Sequence, residues 1–377
     1  MQPRIYLVSC AGHPNYGDEL ITASWLRHLA EELPETEVWL DCPNPGMAAE
    51  LFFGLHPNAH FTNTLWRVVW DRGNEPGAAG ADEVARIVTD LGSPAYDLAL
   101  LRLREMDSFH LLGGGYLNSI WPLHLRLINA LLAVRELTGA ALYATGISLA
   151  PLEEEDHACL PALRSFDHVS VRDTHSADLL GLDVGLDDAL LGILAERDRG
   201  RNSPVKADVV VCLQRDLVPD DDFSAMVQEV RTAVSAFKAK GQSVVYAEAI
   251  PGVDHPGFDA LSDLIPPENF IPFLSVWRDG LPTGAHTWIT TRFHLHLLAS
   301  AMGAAGTAIG VKPGYYDVKH GSLLELGTGW AYVSAGQELP EASHRSGFPR
   351  AVKGHAKEKK REALSLYRRG SAFRGRR

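Results

Sequence analysis

The segment "TWITTRFHLHLLASAMGAAGTAIGV" (residues 287–311) decides how this chain is read. "TWIT" (287–290) and "GTAIGV" (306–311) are short runs of strand formers. Between them Leu295, Leu298, Ala299 and Met302 recur at helical spacing, the pattern of a helix with a buried face. Strand, helix and strand in that order predict a parallel βαβ unit. Arg292 and His294 stand where this helix begins. A guanidinium and an imidazole are costly to bury without partners. A helix start offers unpaired N–H groups and the positive end of the dipole, so it favours an anion. The expected partner of Arg292 is therefore a bound substrate, with Thr291 capping the helix. The plainer reading makes His294 a satisfied core residue. His294 and His296, two apart on a helix, cannot share a metal ion.

Working outward, the alternation repeats. Strands are predicted at 4–9, 37–41, 108–114, 141–146 and 168–173, then at 209–214 and 243–249, with helices after most of them. Between the two series lies "ERDRGRNSPVKAD" (196–208), charged and without apolar periodicity, which reads as a linker. The expectation is two doubly wound α/β domains facing each other across a cleft: 1–195, a linker at 196–208, 209–345, and a basic tail at 346–377. Residues 42–105 are less regular and match no recognisable pattern beyond a helix at 81–91.

Composition narrows the function. The 377 residues are 46% hydrophobic and 22% charged, normal for a globular protein that can bury a sizeable core. The net charge of −12 argues against nucleic acid. Residues 351–377 hold ten Lys and Arg against Glu358 and Glu362, a local +8 that leaves −20 on the remainder. That tail reads either as a solvated terminus or as a peripheral contact with an anionic membrane. Cys10, Cys42, Cys159 and Cys212 show no metal-site spacing, and no metal site is expected. The beginning, "MQPRIYLVSC", lacks a long apolar run, and no stretch of about 20 apolar residues occurs, so a cytoplasmic protein is expected.

In open α/β domains the residues after strands carry the chemistry. "GHPNYGDE" (12–19) follows the first strand, with Asn15, Gly17 and Asp18; Asp18 is read as the cap of the next helix. "LLGGGYLN" (111–118) places Gly113, Gly114 and Gly115 after another strand, yet it lacks both the dinucleotide and the P-loop patterns. "VSVRDTHS" (169–176) brings Arg172 to a strand end, where its planar fork suits a carboxylate or phosphate. Lys319 in "GVKPGYYDVKHGSLLELG" (310–327) offers a further cation. Each has a bland counterpart: a capped turn, a packing turn, a salt bridge to a neighbouring acid, a solvated lysine.

In this order, "NYGDELI" (15–21), "HLLGGGYL" (110–117), "VSVRDTHSADLL" (169–180), "TTRFHLHLLASAMG" (290–303) and "YYDVKHGSL" (315–323) resemble the polysaccharide pyruvyl transferase family. The resemblance implies a two-domain architecture like that of the GT-B glycosyltransferases. It also implies transfer of a pyruvyl group from phosphoenolpyruvate to two hydroxyls of a sugar, with release of phosphate. No cofactor would be required, and the acceptor would be a saccharide, free or lipid-linked. His294 would be the general acid, and Arg172, Arg292 and Lys319 would hold the donor. Asn15, Gly17, Asp18 and Gly113–Gly115 would line the cleft from the first domain. The chain departs from the family at "GLDDALL" (185–191), where Gly-Asp-Pro-Ala is expected, and at Phe293, where Leu is usual. A nucleotide-sugar glycosyltransferase of the same architecture and a non-catalytic glycan-binding protein are the two other functions these residues permit.

Overall fold

The computed structural model describes residues 3–73, 78–92, 95–340 and 346–368. The chain starts β1 (Arg4–Val8), α1 (Tyr16–Glu32), β2 (Glu37–Asp41), α2 (Pro45–Leu51), β3 (Ala59–Thr62) and α3 (Thr64–Arg72). Then come α4 (Ala78–Thr89), α5 (Asp97–Leu103), β4 (Ser108–Leu111), α6 (Arg126–Thr138), β5 (Ala141–Ile147), α7 (Cys159–Arg164), β6 (His168–Val171) and α8 (Thr174–Leu180). The second series is α9 (Ile193–Arg201), β7 (Val209–Cys212), α10 (Asp220–Ala239), β8 (Val244–Ala247), α11 (His255–Asp259) and β9 (Phe270–Ile271). It ends with α12 (Phe273–Asp279), β10 (Thr287–Thr290), α13 (Phe293–Met302), β11 (Ala305–Gly310), α14 (Tyr316–Glu325), β12 (Ala331–Ser334) and α15 (Phe348–Arg368).

The strands form two six-stranded sheets, ordered β3-β2-β1-β4-β5-β6 and β12-β11-β10-β7-β8-β9. Every pairing is parallel. Both sheets have the doubly wound order, which reverses between β1 and β4 in one and between β7 and β10 in the other. Their central strands are apolar on both faces, as parallel strands covered by helices must be: Ile5, Tyr6, Leu7 and Val8 in β1, and Val209, Val210, Val211 and Cys212 in β7, are all buried.

The described residues divide into two compact units. One holds the chain up to His13, Asp18–Leu191 and the residues from Lys357; the other holds Pro14–Gly17 and Gly192–Ala356. This differs from the boundaries expected above in three places. The linker expected at 196–208 begins inside helix α9, which runs through Arg201. Its charges misled because they are turned inward: Glu196 and Arg197 are buried, and Glu196 pairs with Arg199. The tail expected at 346–377 is, through Arg368, helix α15, and 369–377 lie outside the described residues. Its charges hide an apolar stripe of Phe348, Val352, Ala356, Ala363 and Leu366, all buried, while Lys353, Lys357 and Arg361 face solvent. Burying each large apolar side chain of such a stripe contributes about 1.5–3 kcal/mol. Finally, Pro14–Gly17 cluster with the second unit and not with the first domain. Tyr16 explains this: its N–H donates to Ala249 O at 3.0 Å, its hydroxyl donates to Glu196 Oε2 at 3.3 Å, and its ring meets Trp277 edge-on.

Candidate functional site

In the second unit the switch point lies between β7 and β10, and ligands of such sheets bind outside the carboxyl ends of the strands there. Gln214 follows β7, and Thr291 and Arg292 follow β10. Gln214 N–H donates to Thr291 Oγ1 at 2.9 Å, so Thr291 ties the two strand ends together and is not the helix cap. Arg292 itself is the N-cap of α13, with extended backbone, and its N–H donates to Thr290 Oγ1 at 3.0 Å.

Arg292 meets carboxylates of the protein, where the sequence suggested a substrate. Nε donates to Asp254 Oδ1 at 3.0 Å, and Nη2 reaches Asp216 Oδ1 at 3.2 Å and also Asp254. Burial works against the guanidinium, and the two carboxylates more than offset it, holding its pKa above the ordinary value. Nε and Nη2 are thereby occupied by carboxylates of the protein. Asp254 is fully buried and takes the amides of Ala249 and Ile250 on Oδ2, both at 2.8 Å, so it joins the β8 turn to Arg292. Asp216 and Asp254 escaped the sequence reading, because they sit in irregular turns 76 and 38 residues from their partner. Gln214 had a signal: a polar residue directly after an apolar strand.

His294 is half-buried, one residue into α13, with Phe293 edge-on at 4.9 Å. The backbone of Gly17 lies against its ring. A Cβ on residue 17 would stand 1.8 Å from His294 Nδ1, so only glycine fits. The loop motif and the helix motif, 277 residues apart, are thus brought together within the second unit. Asn15 caps α1 by accepting the Gly17 N–H at 3.2 Å; Asp18, read as the cap, is inside the helix's first turn.

Lys319 lies over the ring of Tyr315 at 3.7 Å from its centroid, one helical turn away, and also contacts its hydroxyl. Behind α13, His296 and His320 face each other with Nδ1 atoms 3.1 Å apart. His320 Nε2 lies 3.3 Å from the Thr291 carbonyl, which only accepts, so that nitrogen carries the proton. His320 Nδ1 then accepts from His296 Nδ1–H, and His296 Nε2 accepts from Thr328 Oγ1 at 2.9 Å. Burial makes both imidazoles hard to protonate and pushes His320 down to about 3.

In the first unit, loops after β1 and β4 flank the other switch point. Gly114 has φ +147°, and a Cβ there would lie 3.5 Å from Asp18 Oδ1 and 2.8 Å from the Tyr116 ring. Gly113 N–H donates to Asp188 Oδ2 at 2.9 Å, and the Gly115 carbonyl accepts from Asn118 Nδ2 at 2.9 Å. Arg172 is buried with its Nη1 2.5 Å from Asp187 Oδ2, while Asp173 caps α8 through Ser176 N–H. The structure thus places Arg172 in the first unit, and Arg292, His294 and Lys319 in the second.

Two parallel sheets of this order, each with polar residues gathered where the order reverses, define a two-domain Rossmann-like protein of the GT-B type. A family profile described as "Polysaccharide pyruvyl transferase" matches residues 15–230, more than half of the chain, and the chain belongs to that family of transferases. The matched span includes Asn15, Gly113–Gly115 and Arg172 and ends before Arg292. Solved structures agree on the fold. The UDP-GlcNAc 2-epimerase of Neisseria meningitidis bound to UDP-GlcNAc has 9% identity and a TM-score of 0.54, over 95% of this chain and 99% of that one. The UDP-GlcNAc 2-epimerase of Methanocaldococcus jannaschii gives 9% and 0.53 over 95% and 99%. MurG of Acinetobacter baumannii gives 10% and 0.50 over 97% and 95%. No curated protein matches the chain.

Proposed function

We propose that this transferase moves a pyruvyl group from phosphoenolpyruvate to two hydroxyls of one sugar in a glycan, closing a cyclic ketal and releasing phosphate. The observation that supports it best is the seat of His294. In a member of this family, an imidazole fixed on the Gly17 backbone stands beside Arg292 at a switch point. His294 donates a proton to the methylene carbon of the donor, and a sugar hydroxyl adds to the neighbouring carbon. The hydroxyl's proton restores His294. A second hydroxyl then displaces phosphate, which leaves with that hydroxyl's proton. Imidazole is the side chain most often used for such proton transfers.

Arg292, Lys319 and the first amides of α13 are the donor-side cations and dipoles of this reading. Arg172 is buried with its Nη1 on Asp187, so its charge already has a carboxylate partner. Asn15, Gly17, Asp18 and Gly113–Gly115 are assigned to substrate contact. The solvent-facing Arg350, Lys353, Lys357 and Arg361 recur along α15, a stripe suited to an anionic bilayer carrying a lipid-linked acceptor.

Donor identity is tested by thermal shift against phosphoenolpyruvate and a set of nucleotide sugars. At 100 times its dissociation constant a ligand stabilises by about 2.7 kcal/mol, which is readily measured. The expected result is a shift with phosphoenolpyruvate in both wild type and His294→Ala. A shift with a nucleotide sugar alone would transfer the assignment to glycosyl transfer; no shift with any donor would favour a glycan-binding protein.

A further inference from the structure

Asp188 stands where the family resemblance leads one to expect proline, and it is fully buried. Its Oδ2 accepts from Trp25 Nε1 at 2.8 Å, from Thr145 Oγ1 at 2.7 Å and from the Gly113 N–H at 2.9 Å. Its Oδ1 meets Lys359 Nζ at 2.5 Å. Lys359 comes from α15, is 1% exposed, and also reaches Leu186 O at 2.9 Å and Glu362 at 2.7 Å. Burial alone would push the Lys359 ammonium down; Asp188 and Glu362 hold it above its ordinary value.

Two glycines make room for this carboxylate. A Cβ on Gly146 would stand 2.7 Å from Asp188 Oδ1, and one on Gly113 would stand 3.0 Å from its carboxyl carbon. The same helix reaches Asp188 by a second path. Thr145 donates to Asp188 and so accepts from His110 Nε2–H at 2.8 Å; His110 Nδ1 then accepts from the Tyr367 hydroxyl of α15 at 2.7 Å. The glycine loop is therefore built around one carboxylate that the C-terminal helix neutralises.

We propose that Asp188 and Lys359 are positioning residues for the Gly113–Gly115 loop: Asp188 fixes the loop's first amide, and Lys359 supplies the countercharge that keeps Asp188 there. This rests on the reading above, in which the loop contacts substrate, and takes that substrate to be the saccharide. Removing one partner of a buried ion pair strands the other, so Lys359→Met and Asp188→Leu are compared with the uncharged double variant, in which residue 188 has no side-chain oxygen to accept from the Gly113 N–H.

The test measures amide hydrogen exchange and steady-state kinetics on the full chain. In Lys359→Met and in the double variant, protection at Gly113–Gly115 should fall about tenfold relative to the amides of β1, the size of one lost hydrogen bond. KM for the saccharide should rise while KM for phosphoenolpyruvate holds, and Lys359→Arg should recover part of both losses. Wild-type exchange at Gly113–Gly115 in a folded double variant would overturn the proposal. If the single variants do not fold, the double variant decides it. A wild-type chain that transfers no pyruvyl group would defeat the proposed function, while the exchange arm would still judge the positioning.

Discussion

Residue 17 must be glycine because His294 occupies the place of its side chain. Gly17→Ala should therefore displace the imidazole, at a stability cost of about 1–3 kcal/mol. Turnover should collapse while circular dichroism stays native; full activity in that variant would remove His294 from its seat in the mechanism. The buried His296–His320 pair makes a separate prediction about acid. Both folded pKa values are depressed by burial, that of His320 to about 3, so over the pH range below about 6.5 the unfolded chain binds more protons than the folded one. Their stabilising contribution is complete above that range and declines as pH falls, by about 1.4 kcal/mol per pH unit for each group. Asp41, raised by burial to about 6, acts with the opposite sign, gaining stability as pH falls through that value. Urea titrations at pH 7 and pH 5 should show a shallower acid loss for the His296→Asn/His320→Asn variant than for wild type. At this scale Arg292 and His294 were legible because a costly polar group at a helix start stands out in a sequence. Asp254 and Asp216 were not, because an acid in a turn looks the same whether it faces solvent or an arginine.

Among the elements, the strands read from the sequence are all the interior ones and one edge strand, β6. β1, β2, β4, β5, β7 and β10 appear as apolar runs because both faces of a parallel sheet are covered. β3, β9 and β12 are edge or near-edge strands, short and partly exposed, and nothing in "AHFT" or "AYVS" separates them from loop. α9 and α15 were hidden for a different reason. Periodicity is judged by apolar residues, and these helices bury Glu196, Arg197 and Lys359 in ion pairs on the faces that should have looked hydrophobic. α15 should behave as part of the fold. Leu366→Ala, in its buried stripe, should cost about 2–5 kcal/mol by denaturant unfolding. Lys360→Ala, which removes only the exposed pairs with Glu31 and Glu32, should stay within about 1 kcal/mol. Equal effects would contradict the assignment of the helix's inner face.

Across the whole molecule, the same strand order is used twice; the loops after β1 and β4 and the start of α13 lie at the reversal points, while Arg172 follows the edge strand β6 and Lys319 lies in α14. The first reversal point carries a glycine loop around Asp188, and the second carries Arg292 and His294. Family membership makes the chain a transferase, and in the proposed mechanism the second switch point supplies the proton donor, His294, and the anion-binding start of α13. Pyruvyl transfer from phosphoenolpyruvate is measured most directly as phosphate release from that donor with and without a panel of saccharides, each acceptor then weighed by mass spectrometry. Phosphate release should depend on one class of saccharide and yield a product heavier by one ketal-linked pyruvyl group, with neither in His294→Ala. Phosphate release without a modified saccharide, or undiminished product from His294→Ala, would contradict the proposed mechanism.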